Sequence, residues 1–436
     1  MKKSLLSTLV LLVATGTAQA EDLLDIYRQA TLNDPLVREA KANRDAAFEK
    51  INESRAPLLP QINLDAGTNY TKSNHDDRTT RSSANVGANL SQALYRRSSW
   101  VNLDITEKTA AQGEVSYKQI QQALILRATQ AYFDVLNAED TLSFVQANKE
   151  AVGRQLEQTR QRFEVGLSAM TDVHEAQAQY DQALADEIVA ENQLNNSKEV
   201  LRELTGMSYS KLLPLDTDTF SPQKPVDSAG TWLEIALDQN LELHSQRILK
   251  DIANEQISLA KAGHQPTLDL NAGLNSNYTD TKQTGFSANN DGSINEGTVG
   301  LTFSLPLYSG GATSSQVKQA QHNYVAASER LERSFRSVQS QVYSSFNDVN
   351  GALGSVRAFE QLVVSAESAL SATEAGYEVG TRTIVDVLNA TRQLYDAKQK
   401  LSEARYNYIL SQLQLKQAAG NLTEQDLLEI NAGLKK

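Results

Sequence analysis

Four stretches of the chain alternate apolar and polar side chains with a period of two. Ile62, Leu64 and Ala66 share one face, with Asn63, Asp65 and Gly67 opposite; Val86, Ala88, Leu90 and Leu94 oppose Asn85, Gly87, Asn89 and Ser91. Further along, Leu268, Leu270, Ala272 and Leu274 oppose Asp269, Asn271, Gly273 and Asn275, while Val299, Leu301, Phe303, Leu305 and Leu307 oppose Gly300, Thr302 and Ser304. This period predicts four β-strands, each with one apolar face. Such a face either packs on a core or meets lipid. Three features favour lipid. Each run is about ten residues, the length that crosses an outer membrane at a tilt of about 45°. Tyr70, Tyr95, Tyr278 and Tyr308 stand near the strand ends, where an aromatic girdle would lie. The connections 71–83 and 276–297 are polar. Four strands cannot close a membrane barrel, which needs about eight, and an open edge in hydrocarbon leaves costly unpaired backbone groups. The barrel is therefore expected to be shared between chains.

Two other stretches repeat every seven residues. The prolines fall at 35, 57, 60, 214, 222, 225, 266 and 306, leaving 98–163 and 312–378 free of them. In the second stretch Phe335, Val342, Val349, Val356, Val363 and Leu370 form one heptad series, and Tyr324, Leu331, Val338, Ala352, Phe359 and Ala366 form the other, which is interrupted by Ser345. The first stretch carries a weaker version through Tyr117, Leu124, Ala128, Ala131, Val135, Ala138, Leu142, Val145, Val152 and Leu156. Both read as coiled-coil helices. At about 1.5 Å per residue the second would be about 100 Å long, too long for a compact domain, so the helices are expected to project. Shorter helices are expected at 35–56, 171–204, 231–263 and 384–419, with Thr231 and Glu234 as a capping box.

The chain is also written twice. Leu59-Pro60-Gln61-Ile62-Asn63-Leu64-Asp65-Ala66-Gly67 returns as Gln265-Pro266-Thr267-Leu268-Asp269-Leu270-Asn271-Ala272-Gly273, and Val165-Gly166 with Asp172 returns as Val379-Gly380 with Asp386. The order is kept between them, which marks an internal duplication. The expected organisation is a first repeat at 21–204, a linker at 205–230 broken by Pro214, Pro222 and Pro225, a second repeat at 231–419, and a tail at 420–436. In that tail Thr423 would cap a turn bearing Leu427, Leu428 and Ile430. Linker and tail would form one belt.

Composition narrows the reading. Lys2 and Lys3, an apolar run over 5–14 and Thr15-Gly16-Thr17-Ala18-Gln19-Ala20 have the form of a secretory signal, so residues 1–20 are expected to be removed after Sec-type export. A formal net charge of −12 argues against nucleic acid as a partner. There is no cysteine, hence neither disulfide nor thiolate chemistry. No apolar stretch after residue 20 suits a transmembrane helix, so a membrane role must use strands. His75, His174, His244, His264 and His322 are scattered. His174 lies close to Asp172 but reads as a solvated helix-face residue. Asn289-Asn290-Asp291-Gly292 lacks the first acidic ligand and closing Glu of a calcium loop. No metal site, cofactor or enzymatic activity is expected.

The strings Arg44-Asp45-Ala46-Ala47-Phe48-Glu49-Lys50-Ile51-Asn52-Glu53, Gly380-Thr381-Arg382-Thr383-Ile384-Val385-Asp386-Val387-Leu388 and Ala404-Arg405-Tyr406-Asn407-Tyr408 closely resemble the TolC family of outer-membrane efflux and secretion channels. The resemblance covers essentially the whole chain after residue 20. It implies a mostly α fold with a membrane β-barrel. Three chains would share twelve strands, continuous with a long periplasmic α-helical barrel and encircled by an equatorial mixed belt. It also implies a homotrimer in the Gram-negative outer membrane, with lipid around the barrel. A periplasmic adaptor (membrane fusion) protein would dock at the turns formed by Val165, Gly166, Leu167, Val379, Gly380 and Thr381. An inner-membrane efflux or ABC-type transporter would feed the duct with drugs, toxic small molecules or secreted proteins. A periplasmic or surface coiled-coil scaffold without a channel is the alternative; an independent diffusion porin is disfavoured by the length of the tube.

By the same resemblance Asp386 lines the narrowest point. Asn389 stands one turn later, where relatives commonly carry a second aspartate, and Thr171, Asp172, Tyr377 and Arg382 link the inner coil to its neighbours. Each residue also has a local reading. Thr383 is a natural N-cap with Asp386 at its third position, and Thr171 could cap with Asp172 in the first turn, where the helix dipole favours a carboxylate.

Overall fold

The computed structural model describes residues 21–73, 79–283 and 292–435. The signal-peptide expectation, His75 and the Asn289-Asn290-Asp291 stretch lie outside these residues. The chain divides into two compact units, and neither coincides with one copy of the repeat. One comprises Met1–Arg38, Ile120–Asn240 and Val338–Lys436, the other Glu39–Gln119 and Leu241–Ser337.

The second unit holds the sheet. Strands β1 (Gln61–Ser73), β2 (Thr79–Arg96), β3 (Thr267–Gln283) and β4 (Gly292–Ser304) pair antiparallel in the order β1-β2-β3-β4. The strands are longer than expected, at 13, 18, 17 and 13 residues. The last one stops sooner, because Pro306 has no N–H to donate; Leu305 and Leu307 therefore lie beyond β4. The apolar face is uncovered: Ile62, Leu64, Leu274, Val299 and Phe303 are all exposed. On the polar face, Asn89 donates to Asp65 across β1 and β2 at 2.8 Å, and Asn271 donates to Thr302 across β3 and β4 at 3.3 Å. Helix α2 (Pro35–Arg55) lies beside the start of α3 (Arg97–Glu164), with the Arg44 guanidinium 5.1 Å from the Tyr117 ring centroid. Helix α6 (Leu241–Ala262) repeats this against α7 (Ala312–Glu378), with Lys250 over Tyr324 at 5.9 Å.

The first unit is helical. It joins α1 (Leu23–Asn33), the parts of α3 and α7 from Ile120 and Val338 onward, α4 (Met170–Thr205), α5 (Ala229–Gln239), α8 (Ile384–Ala419) and α9 (Glu424–Ala432). The middle of the α7 heptad seam is buried: Val342, Val349 and Val356 are all 0% exposed, while Phe335, Val363 and Leu370 toward its ends are only partly buried. Ser345 does not open the seam. It is buried and accepts from Gln341 one turn earlier. Phe133 of α3 stacks on Tyr406 of α8 at 5.2 Å, and the Tyr132 hydroxyl donates to the Leu213 carbonyl in the linker. The linker forms one bridge with Glu21 through Leu212 and another with Leu434 through Leu215. Thr423 precedes α9, and its N–H donates to Asp426.

Local signals misplaced three helix starts or breaks. The stretch 231–263 is two helices: α5 closes at Asn240, whose N–H makes the last bond, to the Ala236 carbonyl, and whose buried side-chain amide donates to the Ala418 carbonyl. Ser228, not Thr231, caps α5, accepting from the Thr231 N–H. Helix α4 starts one residue before Thr171, so Thr171 sits inside the first turn and cannot be its cap. Helix α1, absent from the sequence expectation, ends at buried Asp34 before Pro35, matching the break at Asn240 in the second copy.

Candidate functional site

Two hairpin turns join the long helices to the shorter ones: α3 to α4 through Val165–Ala169, and α7 to α8 through Val379–Thr383. They are built alike. Gly166 and Gly380 take φ of 79° and 78°, a left-handed conformation that costs glycine nothing. The Gly166 N–H donates to the Phe163 carbonyl and the Leu167 N–H to the Arg162 carbonyl; Gly380 and Thr381 do the same to Tyr377 and Gly376. These paired bonds satisfy the last carbonyls of α3 and α7. The apolar side chains of the turns have no core to enter: Val165, Leu167 and Val379 are 69%, 75% and 76% exposed.

Beneath the turns lies a small core of Val152 and Leu156 from α3, Ala176 from α4, and Ile384, Val387 and Leu388 from α8. Positions 384, 387 and 388 recur at i, i+3 and i+4, so they bury one stripe of α8. Asn389 is therefore on an exposed side of the helix, and Asp386 is half-buried at its start.

Asp386 caps α8. Its Oδ2 accepts from the Thr383 N–H at 2.9 Å and from the Thr383 hydroxyl at 3.0 Å, and the Asp386 N–H donates back to the same hydroxyl. The Thr383 backbone N–H, then its hydroxyl, with the Arg382 charge adding to them, hold the Asp386 carboxyl below the usual aspartate value, so it is ionised at neutral pH. Both cap bonds from Thr383 reach Oδ2 alone. Asp172 plays the matching part in α4, its Oδ2 accepting from the Ser168 hydroxyl at 2.9 Å and the Ala169 N–H at 3.3 Å.

Within one chain the four residues expected to link the inner coil to its neighbours have local surroundings. Asp172 is engaged by Ser168, Thr171 is exposed, and the Tyr377 ring carries the Arg162 guanidinium 4.7 Å from its centroid. Arg382 is exposed; its N–H donates to the Gly376 carbonyl, and its side-chain stem lies across Gly376. The Arg162 contact was not foreseen. The repeat gave no signal of it, because Arg162 corresponds to Gly376, which has no side chain to make such a contact.

Among the described residues no three His, Asp or Glu side chains gather as metal ligands. What the turns offer is a carboxylate at the start of each shorter helix, exposed apolar tips and a few weak contacts.

The family model described as outer membrane efflux protein matches residues 26–207 and 232–421, one stretch in each copy of the repeat. The outer membrane protein TolC of Vibrio cholerae serotype O1 is 54% identical, over 95% of this chain and 94% of that one. The proteases secretion protein PrtF of Dickeya chrysanthemi is 31% identical, over 99% and 95%. Among solved structures, the CmeC outer membrane channel of Campylobacter jejuni has the same fold, with a TM-score of 0.78 at 15% identity, over 95% of this chain and 90% of that one.

Proposed function

This chain belongs to the outer membrane efflux protein family, and from that premise we propose that three copies assemble into a gated exit duct. The protein is a channel of the outer membrane and not an enzyme. Three four-stranded sheets join edge to edge, β4 of one chain beside β1 of the next, as one twelve-strand barrel. The observation that carries this is the sheet itself. Among the described residues its β1 and β4 edges have no neighbouring strand, and its apolar face is uncovered, an arrangement stable in lipid only if the edges close on other chains.

The helices continue the duct as a periplasmic α-helical barrel. Drugs, other toxic small molecules and secreted proteins enter from an inner-membrane efflux or ABC-type transporter. A periplasmic adaptor seats on the turns at Val165, Gly166, Leu167, Val379, Gly380 and Thr381, whose exposed apolar side chains suit a docking surface. Asp386 rings the constriction with one carboxylate per chain, and Asn389 leaves the second ring uncharged. Thr171, Asp172, Tyr377 and Arg382 hold closure through links to neighbouring chains. Exposed pairs of this kind are worth about 0–1 kcal/mol each, few enough for a docking partner to overcome.

Extraction and bilayer recording test the reading together. The protein should leave membranes only with detergent, migrate as three chains and conduct cations weakly until the tips are loosened. Release by salt alone, as a monomer, would leave the coiled-coil scaffold as the better account.

A further inference from the structure

Both copies of the repeat join sheet to helices with similar residues. Leu94-Tyr95 at the end of β2 corresponds to Leu307-Tyr308 after β4, and Arg55 in the last turn of α2 corresponds to Lys261 in the last turn of α6. All six side chains are exposed. Tyr95 stands opposite Leu268 in the β2–β3 register, on the apolar face of the sheet, and Trp100 in the first turn of α3 adds another exposed ring. The charge around these rings differs from that of the whole chain, which is −12. Besides His264, the stretches 54–60, 94–104, 258–269 and 303–314 contain the cations Arg55, Arg96, Arg97 and Lys261 against the carboxylates Asp104 and Asp269. Arg96 pairs with Asp269 at 2.9 Å. Arg55, Arg97 and Lys261 are exposed and have no ion-pair partner among the described residues. A cation in the last turn of a helix is favoured by the helix dipole, which accounts for Arg55 and Lys261 locally. Arg97 opens α3, where the dipole disfavours a cation, so helix stability does not account for it.

We propose that this junction binds anionic glycerophospholipid: Arg55, Arg97 and Lys261 take the lipid phosphates of the leaflet on the helix side, while Tyr95, Trp100 and Tyr308 lie at the level of the headgroups. The inference rests on the duct reading, which sets the sheet in lipid and the helices in the periplasm, and it adds a headgroup preference that a membrane wall does not need. Aromatic rings alone mark the edge of any bilayer and choose no headgroup. Cations without a protein partner do choose, each favouring an anionic surface by about fivefold at moderate salt. The preference should therefore fade at high salt. Arg97 corresponds to Gly310 in the second copy, so the first copy supplies two of the three cations.

Trp100 reports on its own surroundings. The chain has two tryptophans, and the indole N–H of Trp232 has no hydrogen-bond partner among the described residues, so Trp232→Phe removes no bond and leaves Trp100 as the lone fluorophore. The full-length Trp232→Phe protein is reconstituted in vesicles of equal parts phosphatidylcholine and phosphatidylglycerol, with bromine on the acyl chains of one lipid or the other. Bromine on phosphatidylglycerol should quench Trp100 several-fold more than bromine on phosphatidylcholine. Adding Arg55→Gln, Arg97→Gln and Lys261→Gln together should abolish that preference, whereas Arg55→Lys, Arg97→Lys and Lys261→Arg should keep it. Equal quenching by the two lipids, or a preference that survives the glutamine variant, overturns the proposal. So does a preference lost in sodium phosphate but kept in sodium chloride of equal ionic strength, which would assign the cations to a small free anion. If neither lipid quenches Trp100 in a protein that conducts, the junction is buried between chains, and the proposal falls while the duct stands. A protein that neither inserts nor conducts would sink the duct reading itself.

Discussion

In the proposed duct Asp386 would serve two ends: Oδ2 completes the cap of α8 through Thr383, and the charge of the same carboxylate would face the constriction. The two readings of this residue are therefore compatible, and the substitution series can divide them. Asp386→Asn keeps a cap acceptor and removes the charge, so block by multivalent cations should fall in single-channel recordings while the helix content of the protein is unchanged. Asp386→Ala should lose both and loosen the tip. The pH dependence has a definite sign. Because folding lowers this carboxyl, its contribution to the cap is complete above the ordinary value of 3.8 and is lost only as pH falls through the lower, folded value. Cation block should accordingly persist through mildly acidic recordings. A second residue works by burial. The Tyr406 hydroxyl donates to Asp140 at 2.7 Å, and burial, followed by that carboxylate's charge, pushes the phenol above its ordinary range. Ser402 donates to the same oxygen. Tyr406→Phe removes one of the two donors and should cost about 1–3 kcal/mol, measurable as a lower unfolding midpoint.

Helices are anchored in this protein where their ends meet a break in another helix. Gly206 ends α4 and Gly420 ends α8, with φ of 73° and 83°. Nearby, Asn33 donates to the Thr205 carbonyl and Asn240 to the Ala418 carbonyl, so the two copies use the same device. Their tolerance differs. A Cβ at Gly420 would fall 2.5 Å from the Gln239 carbonyl oxygen, whereas at Gly206 the nearest atom, Asn33 Cβ, is at 3.9 Å. Gly206→Ala should cost about 1–2 kcal/mol for the left-handed backbone alone; Gly420→Ala should cost more, since backbone must also move. Thermal unfolding of the two variants gives the order. Along the long helices, stability lies in the seam. Val349 is fully buried, so Val349→Ala should cost about 1.5–3 kcal/mol, far more than the same change at exposed Val364.

At the scale of the molecule the duplication organises each compact unit from within. The helical unit pairs α1 and α4 of the first copy with α5 and α8 of the second, and the strand-bearing unit pairs Arg44 and Tyr117 with Lys250 and Tyr324. The copies have diverged in charge: the first holds buried Asp34 against Arg127, while the second has the neutral Asn240 in place of Asp34. In the proposed duct the sheet is where the assembled protein would meet lipid. A charge on its apolar face should cost about 2–4 kcal/mol per chain near mid-membrane. Val299→Arg should therefore reduce insertion and assembly, whereas Thr302→Arg, on the polar face, should insert and alter conductance instead. Heat-modifiable migration on gels and bilayer activity report the two outcomes separately.

Periodicity is a local property, and whatever depended on it was legible in the chain. The alternation around Ile62, Val86, Leu268 and Val299 gave the strands, the heptads gave the two long helices, the repeated Val-Gly pairs marked both turns, and Thr383 with Asp386 located the start of α8. Tertiary structure decided the rest, because it turned on which distant segments meet. Nothing local marks Asn240 as a helix end, since asparagine carries only a small helix penalty; its amide is claimed by a carbonyl of α8. The cap of α4 lies at Ala169 and not at Thr171 because Asp172 is bound by Ser168 and Ala169. Arg162 reads in sequence as one more charge on a solvated face, and only the approach of two hairpin ends sets it over an aromatic ring.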